Sequence, residues 1–125
     1  MLAALSGPAY AELRQRINSA ITRPLVVVYG LTFFACLTVS ALAANDGATT
    51  TAAGVGLAAL TLVVDLALAA KGNVPLNVAM NDWKPSALPP DWATKRAAWH
   101  RVFAVRQIVL SVGYVAFVAG AFGRF

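Results

Sequence analysis

The stretch AAGVGLAALTLVVDLALAA, residues 52–70, decides the fold, because it is continuously apolar and carries one charge, Asp65. A helix of about 20 such residues crosses the hydrocarbon core of a bilayer. Two further stretches have the same character: PLVVVYGLTFFACLTVSALAA, residues 24–44, and VFAVRQIVLSVGYVAFVAGAF, residues 102–122. The first of these has no charge and the second has only Arg106. The sequence therefore predicts three transmembrane helices.

The overall composition agrees with a membrane protein. Hydrophobic residues make up 59% of the 125-residue chain and charged residues only 12%, whereas a soluble domain carries about 25% charged residues. The mean hydropathy is +0.68. Glycines recur in the apolar stretches, at 54, 56, 113 and 120, and small residues allow helices to approach closely in lipid. We expect a single domain over residues 1–125, an all-α membrane helical bundle.

The distribution of basic residues predicts the orientation of the bundle. The segment between the first two spans, NDGATTT at 45–51, is short and lacks Lys and Arg, which is typical of a tight turn. Basic residues precede the first span and fill the long connection before the third: Arg14, Arg16, Arg23, Lys71, Lys84, Lys95, Arg96 and Arg101. The positive-inside rule then places residues 1–23 and 71–101 in the cytoplasm, with the plasma membrane as the expected location. Because topology explains the net charge of +5, nucleic acid is not expected as a partner.

Two helical segments are predicted at the cytoplasmic surface. Residues 6–21 carry apolar side chains three and four residues apart, at positions 10, 13, 17 and 21, so they predict an N-terminal amphipathic helix with Ser6 as its cap. Pro24 would then lie in the first turn of the first span. Asp91 is a candidate N-cap for a helix that runs unbroken into the third span. That helix would extend into the cytosol.

The third helix presents a stripe of candidate site residues. Steps of four, three, four and three residues place five side chains on one helix face: Trp92, Arg96, Trp99, Phe103 and Arg106. Tryptophan and long basic side chains are typical of a membrane interface. Arg106 lies about one turn inside the apolar stretch, so it must face the bundle as either a structural anchor or a ligand-binding cation. Asp65 is its expected partner, in a helix-locking ion pair or as the polar floor of a cavity.

A cluster of amides follows the second span. In NVPLN, residues 73–77, we expect Pro75 to end or kink the helix and to leave backbone carbonyls without donors. Asn73 and Asn77, with Asn18 from the N-terminal helix, could cap these carbonyls, or they could line the mouth of a pocket. His100, the single histidine, is either a solvated side chain or the one group suited to proton abstraction near neutral pH.

The sequence lacks the usual cofactor signatures. GxGxxG, phosphate-loop, CxxC and HExxH patterns are absent. One histidine and one cysteine cannot form the usual zinc or haem sites. We therefore expect neither a metal nor a cofactor, and we interpret Cys36 as a packing residue.

Three segments together resemble the anthrone oxygenase-like family of small four-helix integral membrane proteins. They are AYAELRQRINSAITRP at 9–24, NVPLN at 73–77 and DWATKRAAWHRVFAVRQ at 91–107. The resemblance implies that the family's first span would precede Met1. It also implies oxidation of an anthrone to an anthraquinone by dioxygen, without metal or flavin. The family often has His or Asn where this chain has Phe103.

The resulting hypothesis is a membrane enzyme that acts on a flat, apolar, phenolic ring system. Arg106 would stabilise the enolate with help from the amides, and His100 or Asp65 would be the base. The aromatic residues Trp92, Trp99 and Phe103 would sandwich the rings. The alternative is a non-catalytic membrane protein that binds a small molecule, a partner helix or a second copy of itself. In either case membrane lipid is an expected neighbour.

Overall fold

The protein folds as a helical bundle, seen in a computed structural model that describes residues 5–123. Helix α1 runs over Gly7–Asn45, α2 over Thr49–Leu68, α3 over Val74–Asn81 and α4 over Trp92–Phe122. One π-helical turn, Ala69–Asn73, joins α2 to α3 without a break. Within the described residues no β-strand occurs, and a single bridge pairs Lys84 with Ala87 in the connection to α4.

Helix α1 is longer than the sequence predicted. The expected amphipathic helix and the first span form one continuous helix, and Pro24 lies in its interior instead of in a first turn. The expectation of two separate helices is therefore wrong. An interior proline is tolerated in apolar helices because neighbouring groups can compensate for its missing N–H. The predicted cap is confirmed, since Ser6 Oγ accepts a hydrogen bond from the N–H of Ala9 at 3.4 Å.

Helix α2 lies between α1 and α4 and packs most extensively on α4. Glycine makes the α2–α4 contact close. A Cβ at Gly54 would lie only 2.6 Å from both the carbonyl oxygen of Ala116 and the Cα of Gly120. Nearer the middle of α4, Gly113 faces Thr61 of α2, and a Cβ there would overlap its hydroxyl. The prediction that small residues bring the helices together is confirmed at these positions.

Pro75 does not end the helix, because the chain changes its hydrogen-bond pattern just before it. The N–H of Val74 donates to the carbonyl of Ala69, five residues back, in the π-helical turn. The inserted residue shifts the register just before the proline, which lies in the first turn of α3, and the helix continues through it. A π-helical turn of this kind is a common feature of functional sites.

Two core clusters form inside the bundle. Cys36, Val55 and Ala59 pack between α1 and α2, which confirms the packing role expected of the cysteine. The second cluster lies where the starts of α1 and α4 meet α3, and it consists of Tyr10, Ala11, Met80, Trp83 and Trp99.

Three helical stretches are long and apolar enough to cross a membrane: Gly7–Asn45, Thr49–Asn81 and Trp92–Phe122. The predicted spans 24–44, 52–70 and 102–122 fall within them. Large apolar side chains cover the outside of the bundle, for example Val26, Phe34 and Ile108, each about two-thirds exposed. The turn around Gly47, whose φ is 77°, and the end of α4 lie together, because Thr51 Oγ1 donates to the carbonyl of Gly120.

Candidate ligand-binding site

The site is built on an ion pair between the two charges of the apolar segments. Arg106 Nε donates to Asp65 Oδ1 at 2.7 Å, and its Nη2 donates to Oδ2 at 3.1 Å. Asp65 is completely buried, whereas 13% of the Arg106 side chain is exposed. The predicted pair is therefore confirmed, and it has the bidentate geometry in which two N–H groups of a guanidinium donate to the two oxygens of a carboxylate. Each charge offsets the desolvation of the other.

Two more side chains fix this pair. Arg106 Nη1 donates to Asn73 Oδ1 at 2.8 Å, and the hydroxyl of Tyr29 donates to Asp65 Oδ2 at 2.7 Å. Asn73 is 1% exposed and donates through Nδ2 to the backbone carbonyl of Trp99. The guanidinium is thus held by α2, by the π-helical turn and, through Tyr29, by α1. Sequence reasoning did not identify Tyr29, because an aromatic residue in an apolar helix is usually a packing residue.

A cavity of about 450 Å³ opens beside the ion pair, within the roughly 300–1,000 Å³ typical of small-molecule sites. Six side chains form its polar part: Arg106, Tyr29, Asn18, Thr22, Asn73 and Asn77. The remaining wall is mostly apolar and comes from α1, α2 and the segment after α2: Ile21, Leu25, Val26, Phe33, Val63, Leu66, Ala69 and Val74. Several of these side chains are also exposed on the outside of the bundle. These exposed side chains lie at the edge of the cavity, so it opens toward the apolar outside of the bundle.

Four of the predicted site residues line this cavity, namely Arg106, Asn73, Asn77 and Asn18. Asp65 lies behind Arg106 with both carboxylate oxygens engaged. The cavity wall, as formed by the described residues, does not include Trp92, Trp99, Phe103 or His100. The structure thus brings the cation and the amides together and places the predicted aromatic residues and the histidine elsewhere.

The amides bind other partners than the carbonyls near Pro75. Asn77 Oδ1 accepts a hydrogen bond from Trp99 Nε1 at 2.7 Å, while Asn18 Nδ2 donates to Asn81 Oδ1 at 3.2 Å. The expectation that they would cap carbonyls freed by the proline is wrong, because the π-helical turn rearranges those carbonyls. Asn77 Nδ2 makes no hydrogen bond within residues 5–123. It is therefore a donor that a ligand in the cavity could use.

The predicted stripe on α4 divides into two parts. Trp99 stacks on Phe103 with ring centroids 5.0 Å apart. Arg96 lies over the ring of Trp92 at 4.7 Å and donates to the carbonyl of Leu5 at 3.0 Å. These contacts join α4 to the start of α1. Asp91 occupies the N-cap position of α4, but its side chain makes no capping hydrogen bond and pairs with Lys95 at 3.8 Å instead.

His100 belongs to a second polar cluster, together with Tyr10 and Arg14 of α1. The rings of His100 and Tyr10 lie 6.0 Å apart, and the guanidinium of Arg14 stacks 3.4 Å from the ring centre of Trp99. Burial, followed by the nearby charges of Arg14 and Arg96, lowers the pKa of His100, which precedes the apolar segment 102–122. The sequence suggested neither Tyr10 nor Arg14 for this cluster.

No group of three His, Cys, Asp or Glu side chains that could hold a metal ion occurs within residues 5–123. Comparison of the chain with family models, curated proteins and solved structures gives no match. The geometry of the cavity is therefore the basis for assigning a function.

Proposed function

We propose that this protein is a plasma-membrane bundle that binds a flat apolar compound with a phenol, enol or carbonyl oxygen. The observation that carries the proposal is the fixed guanidinium of Arg106 at the wall of a mostly apolar cavity. A rigid cation beside an apolar wall selects a ligand that has rings at one end and an electron-rich oxygen at the other. The orientation follows the positive-inside rule, with residues 1–23 and 71–101 in the cytoplasm.

The hydrogen-bond inventory supports this ligand class. A guanidinium has five N–H groups, and Arg106 uses one on Nε, one on Nη1 and one on Nη2 within the protein. One N–H on each terminal nitrogen is left to donate to a ligand oxygen. Asn77 Nδ2 is a further donor, and the oxygen of Tyr29 can accept from a ligand hydroxyl while its own proton is donated to Asp65. The site can therefore hold an anionic or a neutral oxygen.

Access from the bilayer fits an apolar ligand. The opening is bordered by Leu25, Val26 and Val74, which are 41%, 67% and 48% exposed. An apolar ring system dissolved in the membrane could enter through this opening without passing through water. The oxygen of the ligand would then contact the guanidinium of Arg106, at the level where Arg106 and Asp65 interrupt the apolar helix segments.

A matched pair of ligands tests the binding proposal. Anthrone and 9,10-dihydroanthracene have the same three fused rings, but only anthrone has a carbonyl oxygen on its central ring. We expect the purified protein in nanodiscs to bind anthrone at least about tenfold more tightly, as one hydrogen bond to a charged group implies. The double variant Asp65→Asn/Arg106→Gln should lose this preference, whereas Arg101→Gln, an exposed arginine on the same helix, should keep it. Equal binding of the two ligands by the wild type would contradict the proposal.

A second candidate function is cofactor-free oxidation of such a ligand, which the fixed cation in a mostly apolar cavity favours. An anthrone loses a proton from its CH₂ group to give a delocalised anion, and Arg106 would hold the negative oxygen of that anion. Dioxygen then oxidises the carbon. The CH₂ loses both hydrogens, one oxygen atom becomes the new carbonyl and the other leaves as water, so one anthrone and one O₂ give one anthraquinone and one water.

The structure changes the roles expected in that reaction. Asp65 has both oxygens engaged, so we assign it the positioning of Arg106 instead of the role of base. His100 lies in the other polar cluster, so in this proposal solvent or lipid-surface water takes the proton. Oxygen uptake and anthraquinone absorbance should rise with protein concentration and fall in the Asp65→Asn/Arg106→Gln variant. Binding without turnover would leave the binding function and remove the enzymatic one.

A further inference from the structure

Arg14 is a buried arginine that has no anionic partner among residues 5–123. Its side chain lies in the core cluster between α1, α3 and α4 and is only 3% exposed. Its Nε and Nη2 atoms are buried from solvent and donate no hydrogen bond within residues 5–123. Stacking on Trp99 at 3.4 Å covers one face of the guanidinium but provides no hydrogen-bond acceptor. A buried charge without a partner is strongly unfavourable.

The unpaired atoms form one particular edge of the guanidinium. The N–H groups on Nε and Nη2 point in the same direction, so they can donate to two oxygens of one anion. Arg106 uses the same pair of atoms to hold the two carboxylate oxygens of Asp65. Arg106 thus binds a carboxylate of the chain through this edge, whereas the same edge of Arg14 is buried without an acceptor in the described residues.

Within residues 5–123, the surroundings of this edge add further polar groups and no acidic side chain. The hydroxyl of Tyr10 and Nε2 of His100 are also buried without a hydrogen-bond partner in residues 5–123. Arg96 lies 5.7 Å from the ring of Tyr10 and adds positive charge. The nearest acidic residue along α1, Glu12, is exposed. Burial lowers the pKa of Arg14, and the neighbouring Tyr10 opposes this shift.

We propose that Arg14, with Tyr10 and His100, forms a second site that binds the carboxylate of a ligand. A carboxylate fits because it is planar, carries one charge and presents two oxygens to the fork. The hydroxyl of Tyr10 and the imidazole of His100 complete its hydrogen bonding. Arg14 stacks on the face of the Trp99 ring, whereas Asn77 accepts a hydrogen bond at the Nε1 edge of that ring, and the existence of this site does not depend on the function proposed for the cavity.

Acetate is a suitable probe for the site. The melting temperature of the purified protein in detergent is measured against sodium acetate, with sodium chloride making up a constant ionic strength. We expect a saturable rise with acetate, since a ligand that binds only the folded state stabilises it. Arg14→Lys, which lacks the fork, should bind at least about tenfold more weakly. Arg16→Met, at an exposed arginine two residues away, should respond like the wild type.

The variant Arg14→Met gives an independent test without ligand. Methionine keeps much of the volume and removes the buried charge, so this variant should melt at or above the wild-type temperature in chloride and show no response to acetate. A lower melting temperature of this variant in chloride, or an equal acetate response in it, would overturn the proposal. So would the absence of any acetate effect on the wild type, or a larger effect of phosphate.

The source of the carboxylate is resolved by a lipid comparison. Phosphatidylserine and phosphatidylethanolamine differ by one carboxylate, so nanodiscs of each are compared for the melting temperature of the wild type and Arg14→Lys. A higher wild-type value in phosphatidylserine that the variant lacks would identify a headgroup carboxylate. An acetate response with equal melting in the two lipids would identify a soluble carboxylate. The absence of both the phosphatidylserine effect and the acetate response would contradict the site.

Discussion

Replacement of one partner of the Asp65–Arg106 pair should destabilise the bundle much more than replacement of both. Asp65 accepts three hydrogen bonds, at 2.7 and 3.1 Å from Arg106 and 2.7 Å from Tyr29, and has no exposed surface. Breaking a buried pair from one side costs about 3–5 kcal/mol, because the remaining charge has no partner. Apolar replacement of both partners is often close to neutral.

The structure separates the two single variants. In Asp65→Leu the guanidinium of Arg106 still donates to Asn73 and is partly exposed, so we expect the lower value, about 3 kcal/mol. In Arg106→Met the carboxylate stays fully buried with only Tyr29 as a donor, so we expect about 5 kcal/mol. The double variant Asp65→Leu/Arg106→Met should lie within about 1 kcal/mol of the wild type.

The free energy of unfolding can be measured by SDS titration in mixed micelles, followed by far-UV circular dichroism. Lys95→Met is the matched control, because the Lys95–Asp91 pair is 3.8 Å long and both side chains are exposed by a third or more. It should change the stability by less than about 1 kcal/mol. The reasoning is refuted if the double variant loses as much as the two single variants together.

Three further predictions concern helix packing, the hydrogen bond between Trp99 and Asn77, and pH. Gly54→Ala should lower the unfolding free energy by about 1–3 kcal/mol, because the added Cβ would contact the backbone of α4. Gly30→Ala is the control, because open space surrounds that position, and it should be neutral or stabilising by up to about 1 kcal/mol. SDS titration measures both unfolding free energies. Trp99→Phe removes the 2.7 Å hydrogen bond to Asn77 and should cost about 0.5–1.5 kcal/mol by the same assay, and an unchanged stability would show that this bond contributes nothing. Because the pKa of His100 is lowered from 6.5 in the folded state, its contribution to stability is complete above pH 6.5 and is lost as the pH falls through the folded pKa. The melting temperature of His100→Gln should therefore fall less between pH 7.5 and 5 than that of the wild type. Parallel melting curves of the two proteins would contradict this prediction.

The three long apolar helices and the central ion pair could be predicted from the sequence for physical reasons. Each apolar segment has the length of a bilayer crossing, so its helical state follows from the need to satisfy the backbone. Asp65 and Arg106 are the only charges within these segments and lie at similar depth, so each is the other's natural partner. The glycine contacts between α2 and α4 followed from the same composition.

The parts that depend on tertiary packing could not be predicted. Pro24 is a helix breaker by local preference, yet α1 continues through it. The π-helical turn before Pro75 leaves no distinct pattern in the sequence. Tyr29 resembles any aromatic residue of a span, and Arg14 resembles a topology signal, until the fold shows that one lines the cavity and the other is buried.

The most direct test of the central claim is the distance from the guanidinium of Arg106 to the oxygen-bearing carbon of a bound ligand. Solid-state NMR dipolar recoupling between ¹⁵N-labelled arginine and anthrone labelled with ¹³C at its carbonyl measures this distance in lipid. A hydrogen bond between them implies a separation of about 4 Å. We expect clear dephasing at that distance in the wild type and none in Asp65→Asn/Arg106→Gln. Bound anthrone without dephasing in the wild type would contradict the account.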